Sequence, residues 1–282
     1  MRILIVLFVA IGSAGALRSP AAQAPAAPPD VLRFAVIGDN GTGDRYEYEV
    51  ARQMVVAREQ FPFEMVLMLG DNIYGGQTPK DFVQKFELPY RPLLDAGVRF
   101  YAALGNHDNQ SNRFYQLFNM GGERYYTFAK GNARFFVLDS DYLDDKQRSW
   151  IDDSLKGSRD EWKICFFHHP LYSNGGRHGA QVDLRVILEP IFTRHGVDVV
   201  FSGHDHVYER LKPQRGIQYF VSGAAGQVRK GNLRQSDTTA AGFDQDQSFM
   251  LVEVAGTNLS FRAISRSGKT VDSGVLQKGP RP

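Results

Sequence analysis

The sequence predicts an α/β fold in which helices cover both faces of a β-sheet. Short apolar runs alternate along the chain with stretches of helical apolar spacing, and most of these runs end at a glycine followed by polar residues. Alternation of strand and helix is typical of sheets built from βαβ units. Ligands of such sheets bind beyond the carboxyl ends of the strands, which is where the polar residues lie.

The composition is that of a globular protein without strong charge of either sign. Of its 282 residues, 43% are hydrophobic and 23% are charged, and 33 basic against 31 acidic residues give a formal net charge of +2. These values exclude a disordered, collagenous or multi-span membrane chain. The near-neutral charge predicts that the protein binds no nucleic acid. The single cysteine, Cys165, excludes an intrachain disulfide.

Residues 1–30 are expected to precede the folded domain. Residues 1–16 combine a basic start, an apolar run and small residues near position 15, which predicts a signal peptide; an uncleaved anchor or a buried strand is the alternative. Residues 17–30 are rich in proline and alanine, as linkers are. We therefore expect export to the periplasm or the extracellular space, no stable membrane insertion after signal removal, and a domain over 31–275.

The first half of this domain alternates strands and helices. Apolar runs predict three strands, over 32–37, 65–69 and 98–104. Apolar residues at helical spacing, with few breakers, predict a helix over 45–60. The segment 79–94 also has helical spacing, but Pro89 and Pro92 are expected to interrupt it.

The second half begins with a hairpin over 124–138, because two apolar runs flank a turn-like Lys-Gly-Asn triplet. Helices are predicted over 144–155 and 183–195. Further apolar runs predict strands over 162–167, 197–201, 218–221, 248–254 and 259–263, the last three antiparallel. The stretch 223–246 is rich in Gly, Ser, Thr and Asp and is predicted to be a long loop, functional or mobile.

Five segments at the predicted strand ends carry polar clusters. They are Gly38–Gly41, Gly70–Tyr74, Gly105–Asp108, His168–Pro170 and Gly203–His206. A glycine before the first polar residue allows a sharp turn that would bring the side chains together. One such segment alone is typically a turn, and a lone His-x-His is more often a surface or core pair. Five in order at strand ends indicate a shared site.

The side chains of these segments form a mixed set of metal donors: two carboxylates, an amide, three imidazoles and a phenol. They belong to Asp39, Asp71, Tyr74, Asn106, His168, His204 and His206. Oxygen and nitrogen donors suit Fe, Mn and Zn, and the absence of thiolates argues against a structural zinc site. The set exceeds one tetrahedral site and suffices for two metals that share a carboxylate, an arrangement that supports displacement at phosphorus. We interpret His169 as a neighbour only.

The segments GDNG, GDNIY, GNHD, HHP and GHDH resemble the motifs of the calcineurin-like metallophosphoesterases. Within that superfamily the chain is most similar to purple acid phosphatases, because Tyr74 stands three residues after Asp71. The resemblance covers roughly residues 31–263. It implies the metallophosphatase fold, a four-layer α/β/β/α sandwich of two mixed β-sheets flanked by helices.

The resemblance also implies two metal ions, Fe(III) and a divalent Fe, Zn or Mn ion. Asp71 would bridge the two ions, and the phenolate would give the protein a purple or pink colour. The ferric ligands implied are Asp39, Asp71, Tyr74 and His206. The ligands implied for the divalent ion are Asp71, Asn106, His168 and His204.

The resemblance assigns the remaining catalytic roles to side chains near these ligands. His107 would donate to a developing oxyanion, with Asp108 fixing its tautomer. His178, on a flexible loop beyond His168, is the candidate acid for the leaving group. Arg177 stands where mammalian-type relatives have a glutamate, and it would bind phosphate. The expected substrate contacts are Asn106, His107, Arg177 and His178.

The implied function is hydrolysis of phosphate monoesters by a metal-bound hydroxide, with a small phosphoester as substrate. The alternative is a phosphodiesterase of the same superfamily that acts on cyclic nucleotides or phospholipid head groups. A non-catalytic metal-binding module is a further alternative. That module would be expected to lack a ligand or His107, and here none is missing.

Overall fold

A computed structural model describes residues 31–278 of the chain. The predicted signal peptide and the linker lie outside the described residues. Over 31–278, none of the helices combines the length and the apolar character that crossing a bilayer requires.

Thirteen strands and five α-helices make up the described part of the chain. The strands are β1 (Leu32–Ile37), β2 (Met65–Met68), β3 (Arg99–Ala102), β4 (Tyr126–Lys130), β5 (Ala133–Val137), β6 (Trp162–Phe166), β7 (Val199–Ser202), β8 (Tyr208–Leu211), β9 (Gln218–Ser222), β10 (Thr239–Phe243), β11 (Ser248–Ala255), β12 (Asn258–Ser265) and β13 (Thr270–Gln277). The helices are α1 (Arg45–Gln60), α2 (Pro79–Phe82), α3 (Leu88–Asp95), α4 (Asp145–Gly157) and α5 (Val182–His195).

The strands form two mixed sheets. The first has the spatial order β13-β12-β11-β1-β2-β3 and the second the order β10-β8-β9-β7-β6-β5-β4. Neighbours β1, β2 and β3 are parallel, as are β5, β6, β7 and β9 in the second sheet. The other neighbouring pairs are antiparallel.

Alternate residues of the central strands face two different cores. In β1, Phe34 and Val36 pack into the core between the two sheets, whereas Ala35 and Ile37 pack toward α1 and α3. The ring of Phe34 meets that of Phe135 from the second sheet edge to face, 5.5 Å away. Because both faces are buried, such strands are apolar throughout.

The implied four-layer α/β/β/α sandwich is confirmed, and the simpler prediction of one sheet with helices on both faces is wrong. Helices α4 and α5 pack on the outer face of the second sheet through side chains such as Ile151 and Phe192. Each sheet therefore has helices on one face only, because its other face packs against the second sheet. Strands and helices alternate along the chain in the one-sheet and the two-sheet arrangement alike, so this alternation does not distinguish them.

The helical segment 79–94 is continuous, although we expected its prolines to interrupt it. A π-helical turn over Val83–Glu87 joins α2 to α3, so the hydrogen-bond register changes just before Pro89. Pro89 then lies in the first turn of α3, where proline is favoured, and Pro92 lies inside that helix.

Three strands were not predicted: β8, β10 and β13. Strand β10 lies within 223–246, which we expected to be loop throughout, and it pairs with β8. Strands β11 and β12 are antiparallel to each other, as expected, but β9 lies in the other sheet, where it is antiparallel to β8 and parallel to β7.

The carboxyl ends of the parallel strands of both sheets meet at one edge of the sandwich. The imidazole Nδ1 of His168, which follows β6, lies 3.0 Å from the carbonyl oxygen of Leu69, which follows β2 in the other sheet. The backbone N–H of Ala225, beyond β9, donates to the carbonyl of Gly38, beyond β1. The polar segments that follow these strands therefore face one another across the junction of the sheets.

Candidate metal centre

The seven predicted ligands lie together at this edge, in two adjoining groups. The first group contains Asp39, Tyr74 and His206. The Oδ1 atom of Asp39 lies 3.1 Å from the hydroxyl of Tyr74 and 3.3 Å from Nε2 of His206. The Tyr74 hydroxyl lies 3.2 Å from the same His206 nitrogen, so all three donor atoms face one point.

The second group contains Asp71, Asn106, His168 and His204. Nε2 of His168 lies 3.0 Å from Oδ1 of Asn106, 3.0 Å from Nδ1 of His204 and 3.4 Å from Oδ1 of Asp71. The amide oxygen, the carboxylate and the second imidazole therefore surround the nitrogen of His168.

Asp71 and His168 connect the two groups. One ligand atom from each of Asp39, Asp71 and His168 lies within 4.8 Å of the other two. All three side chains are buried. An Asp71 carboxylate in this position can contact ions in both groups.

Three of the ligands have left-handed backbone conformations that residues other than glycine seldom adopt. The φ angles are 55° at Asp39, 53° at Asp71 and 69° at His204, and each residue directly follows a glycine. Such conformations cost free energy and persist where the surrounding structure enforces them. The chain here turns at the ligand itself, which places its side chain at the junction of the sheets.

Two glycines allow the ligand-bearing segments to approach closely. A Cβ atom at Gly105 would lie 2.4 Å from the backbone nitrogen of Asp71, and one at Gly203 would lie 2.6 Å from Oδ2 of Asp39. Any side chain at these positions would therefore displace a predicted ligand.

Burial shifts the ionisation of the ligands. It raises the pKa of Asp39, but the hydrogen bond with His206 and the positive charges of His168 and His206 outweigh burial and lower this pKa below its usual value. Burial and the neighbouring imidazoles lower the pKa of His204, which favours the neutral ring that binds metals. These shifts favour a carboxylate at Asp39 and a neutral imidazole at His204, the forms in which these residues bind metal ions.

The residues present fit metal ions. Burial raises the pKa of Tyr74, and the charges of the buried Asp39 and Asp71 carboxylates raise it further. Carboxylate, phenol, amide and imidazole donors that converge in a buried site match the preferences of first-row transition metals. A cation would neutralise the carboxylates and favour the phenolate.

His107 and Asn106 lie at the exposed side of this centre. The ring of His107 packs against that of Tyr74 with centroids 4.8 Å apart, and its backbone N–H donates to Oδ1 of Asp71 over 2.9 Å. The His107 side chain is exposed, and within 31–278 it makes no hydrogen bond. It is therefore free to bind a group that enters the site.

Asp108 does not have the role that we expected. Its carboxylate accepts hydrogen bonds from the backbone N–H groups of Asn72, Ile73 and Gly105, and from the side chain of Asn112. None of the hydrogen bonds in the described part of the chain joins it to His107. Asp108 thus holds the segments that follow β2 and β3 together, because their backbone donors saturate its oxygens.

Arg177 and His178 lie on the segment 173–179, and the structure brings His178 to the centre. The His178 ring lies beside that of His204, tilted by 43° with centroids 4.2 Å apart, and the residue is exposed. Burial lowers the pKa of His178, against the effect of the Asp205 carboxylate. Arg177 is exposed, and no hydrogen bond or ion pair within 31–278 fixes its side chain.

The segment 173–179 is pinned, although we expected a flexible loop. The buried Asp205 carboxylate accepts from the hydroxyl of Ser173 and from the backbone N–H groups of His178 and Gly179. The buried Glu209 carboxylate accepts from both nitrogens of Asn174. The role of Asp205 was not predicted from the sequence, although its position between two predicted ligands was a signal.

Removal of the Asp205 carboxylate is expected to release this segment. The variant Asp205→Ala would leave three donors without their acceptor, which predicts a loss of roughly 3–5 kcal/mol in the free energy of unfolding and faster proteolysis within 173–179. Denaturant unfolding and limited proteolysis measure the two effects. The exposed Asp237→Ala variant is the control, and equal stability of the two variants would contradict this role.

His169 also contributes to the cluster, although we interpreted it as a neighbour only. Its ring centroid lies 4.4 Å from that of His204, and its Nδ1 atom lies 2.9 Å from the hydroxyl oxygen of Ser140. Burial, together with the charge of His168, lowers the pKa of His169 to about 3. One nitrogen from each of His168, His169 and His204 could hold an ion.

Comparison with known proteins places this geometry in a family. The model of the calcineurin-like phosphoesterase family matches residues 32–208, which include every predicted metal ligand. Tartrate-resistant acid phosphatase type 5 of Rattus norvegicus is 24% identical over 307 residues, which cover 91% of this chain and 93% of that protein. Purple acid phosphatase 7 of Arabidopsis thaliana is 26% identical over 286 residues, covering 88% and 86% of the two chains.

A solved structure agrees with the sequence comparisons. The purple acid phosphatase PPD1 from yellow lupin superposes with a TM-score of 0.72 at 18% identity, over 88% of this chain and 54% of that one. The fold, the matched family and the acid phosphatase relatives are consistent with one another. The chain belongs to the calcineurin-like phosphoesterase family, as a hydrolase of phosphoric esters similar to the purple acid phosphatases.

Proposed function

We propose that this protein is an exported phosphatase of the purple acid phosphatase type, which hydrolyses small phosphate monoesters at a centre of two metal ions. The observation that carries the proposal is the pair of adjoining ligand groups, with the Asp71 carboxylate between them. We further propose that it binds no nucleic acid and stays out of the membrane once residues 1–16 are removed.

The ligand groups differ in charge, which supports two unlike ions. Asp39 and Tyr74 offer anionic oxygen to the first group, which suits Fe(III), whereas the second group adds only neutral donors to the shared Asp71. A divalent Fe, Zn or Mn ion fits there. When bound, such a pair would supply a nucleophile derived from water and would neutralise charge on the phosphoryl oxygens.

Side chains around the two ions would then bind the substrate and transfer a proton to its leaving group. The exposed His107 imidazole lies beside Tyr74 and can donate an N–H to a phosphoryl oxygen. His178, whose exposed ring lies beside that of His204, can give a proton to the leaving oxygen. Asn106 and Arg177 complete the proposed substrate contacts.

Hydrolysis of p-nitrophenyl phosphate and of its bis ester tests the proposal. We expect the metal-loaded protein to favour the monoester, because a second ester group removes one of the anionic oxygens that the two ions would bind. A preference for the bis ester would instead support a phosphodiesterase. Metal binding without turnover of either ester would support a non-catalytic metal-binding module.

The acid role of His178 predicts a dependence on the leaving group. In His178→Ala, we expect turnover of poor leaving groups such as alkyl phosphates to fall about 10²–10⁴-fold, while p-nitrophenyl phosphate is affected much less. Steady-state kinetics over a series of esters measures this, with His195→Ala, which lies outside the centre, as the matched histidine control. Equal losses for all esters would remove His178 from the role.

The ligand role of Tyr74 predicts a change of colour. If Tyr74 binds Fe(III) as phenolate, Tyr74→Phe should lose visible absorption while keeping its fold, because the charge-transfer band needs the phenolate oxygen. Absorption spectra of protein from its native host, compared with Tyr46→Phe outside the ligand groups, measure this. Colour that survives the change would show that Tyr74 is not on iron.

A further inference from the structure

A cleft of about 500 Å³ opens beside the candidate metal centre. Residues of the segments 42–46 and 226–230 line it, and so does Tyr74. The hydroxyl of Tyr74 faces the first ligand group, 3.1 Å from Oδ1 of Asp39 and 3.2 Å from Nε2 of His206. The cleft and the first ligand group therefore share the Tyr74 side chain as a common wall.

The segment 226–230 is fixed to the centre through its backbone. The N–H of Gly226 donates to the carbonyl of Asp39 over 3.2 Å, and that of Arg229 donates to the carbonyl of His206 over 3.0 Å. Lys230, the next residue along the chain, is exposed and lines the cleft. Its backbone is thus held beside the centre, and its side chain is accessible to a molecule in the cleft.

The candidate acid for the leaving group lies close to this part of the chain. His178 belongs to the segment 173–179, which pairs with the residues that follow Lys230. The N–H of Gly176 donates to the carbonyl of Asn232, two residues beyond Lys230, over 2.7 Å. A leaving group that His178 protonates would therefore lie on the side of the centre on which Lys230 stands.

Four charged side chains line the cleft, and three of them are already engaged. The Asp44 carboxylate accepts from two backbone N–H groups at the start of α1. The Asp246 carboxylate pairs with the Arg266 guanidinium over 2.8 Å. No ion pair or hydrogen bond within residues 31–278 engages the Lys230 ammonium. The cleft thus presents one positive charge that no side chain in the described part of the chain neutralises.

We infer that this cleft binds the alcohol portion of the substrate, and that Lys230 selects esters whose alcohol carries a carboxylate or a further phosphate. The inference rests on the proposed function, because a leaving alcohol exists only if the centre hydrolyses phosphate monoesters. The lysine ammonium is a compact charge with three N–H donors, which suits either anion. Hydrogen bonds to anionic groups are stronger than those between neutral groups, so such esters gain affinity over neutral esters of the same size.

Two esters with the same carbon skeleton test this selection on the metal-loaded protein. 2-Phosphoglycerate has a carboxylate where glycerol 2-phosphate has a hydroxymethyl group, so the pair isolates the effect of the anion. We expect the native protein to favour 2-phosphoglycerate, and the ratio of the two kcat/KM values to fall about 10-fold in Lys230→Ala, which loses one charge-assisted contact. Lys230→Arg should retain the preference because it retains the charge, and both variants should have native metal content.

Lys130→Ala is the matched control, because it removes the same charge from the opposite edge of the sandwich. Lys130 lines another pocket together with Leu32, at the start of β1, whereas the centre lies beyond the carboxyl end of that strand. The control should keep the native ratio within about twofold. An equal loss in the two variants, or an unchanged ratio in Lys230→Ala, would overturn the inference.

Binding measurements separate this inference from the proposed function. If the native protein hydrolyses both esters but Lys230→Ala leaves their ratio unchanged, the function holds and the role of Lys230 is wrong. If the native protein turns over neither ester, the proposed function fails, and calorimetry then measures how tightly each ester binds. Weaker binding of 2-phosphoglycerate relative to glycerol 2-phosphate in Lys230→Ala would keep the cleft as a binding site, whereas an unchanged ratio of dissociation constants would overturn that role as well.

Discussion

Asp71→Ala is expected to lose both metal ions and all measurable turnover. The Asp71 carboxylate lies between the two ligand groups, within 4.8 Å of ligand atoms of Asp39 and His168, so one substitution removes an anionic donor from each proposed ion. It also leaves Asp39 as the one remaining carboxylate among the seven ligands, which weakens the attraction for cations throughout the centre.

Elemental analysis of the purified variant measures the metal content, and hydrolysis of p-nitrophenyl phosphate measures turnover. The control is Asp152→Ala, which removes a carboxylate that pairs with Arg194 and His195, outside the centre. That variant should keep native metal content. Two ions per chain retained in Asp71→Ala would refute the bridging role.

His107→Ala is expected to keep its metals and lose about 10²–10³-fold in kcat, the usual effect of removing one donor to a developing oxyanion. The His107 side chain is exposed beside Tyr74 and makes no hydrogen bond within 31–278, so its removal disturbs no internal contact of the described chain. Its backbone bond to Asp71 remains in the variant. The loss should therefore appear in kcat and not in metal content.

His195→Ala is the matched histidine control, because His195 pairs with Asp152 at the end of α5. His107→Gln, which keeps an N–H donor, should recover part of the loss. An unchanged kcat in His107→Ala would exclude the side chain from the reaction. Loss of metal in this variant would instead show that the side chain has a structural role in the centre.

Local sequence signals predicted much of the fold. Helix α1 has the predicted bounds because Asp44 caps its first turn and apolar residues recur along one face. Strand β13 was missed because it is an edge strand with exposed and half-buried residues, in which Gly274 packs close to Phe261. The two-sheet arrangement needed the family resemblance, since a pattern of apolar residues does not show what packs on each face of a strand.

The candidate site was also predictable only in part. The convergence of the residues directly after the parallel strands was predictable, because the ends of such strands share one edge. Asp205 gains its role from contacts with the segment 173–179, which no local pattern encodes. For Asp108 the motif suggested the wrong partner, because its oxygens are taken by backbone donors of neighbouring segments.

Anomalous diffraction from crystals of the protein, purified from its native host, tests the central claim most directly. The proposed centre predicts two metal peaks: one among Asp39, Tyr74 and His206, the other among Asn106, His168 and His204. Asp71 should contact both. A single peak, no peak, or an Asp71 carboxylate that contacts only one ion would contradict the binuclear centre.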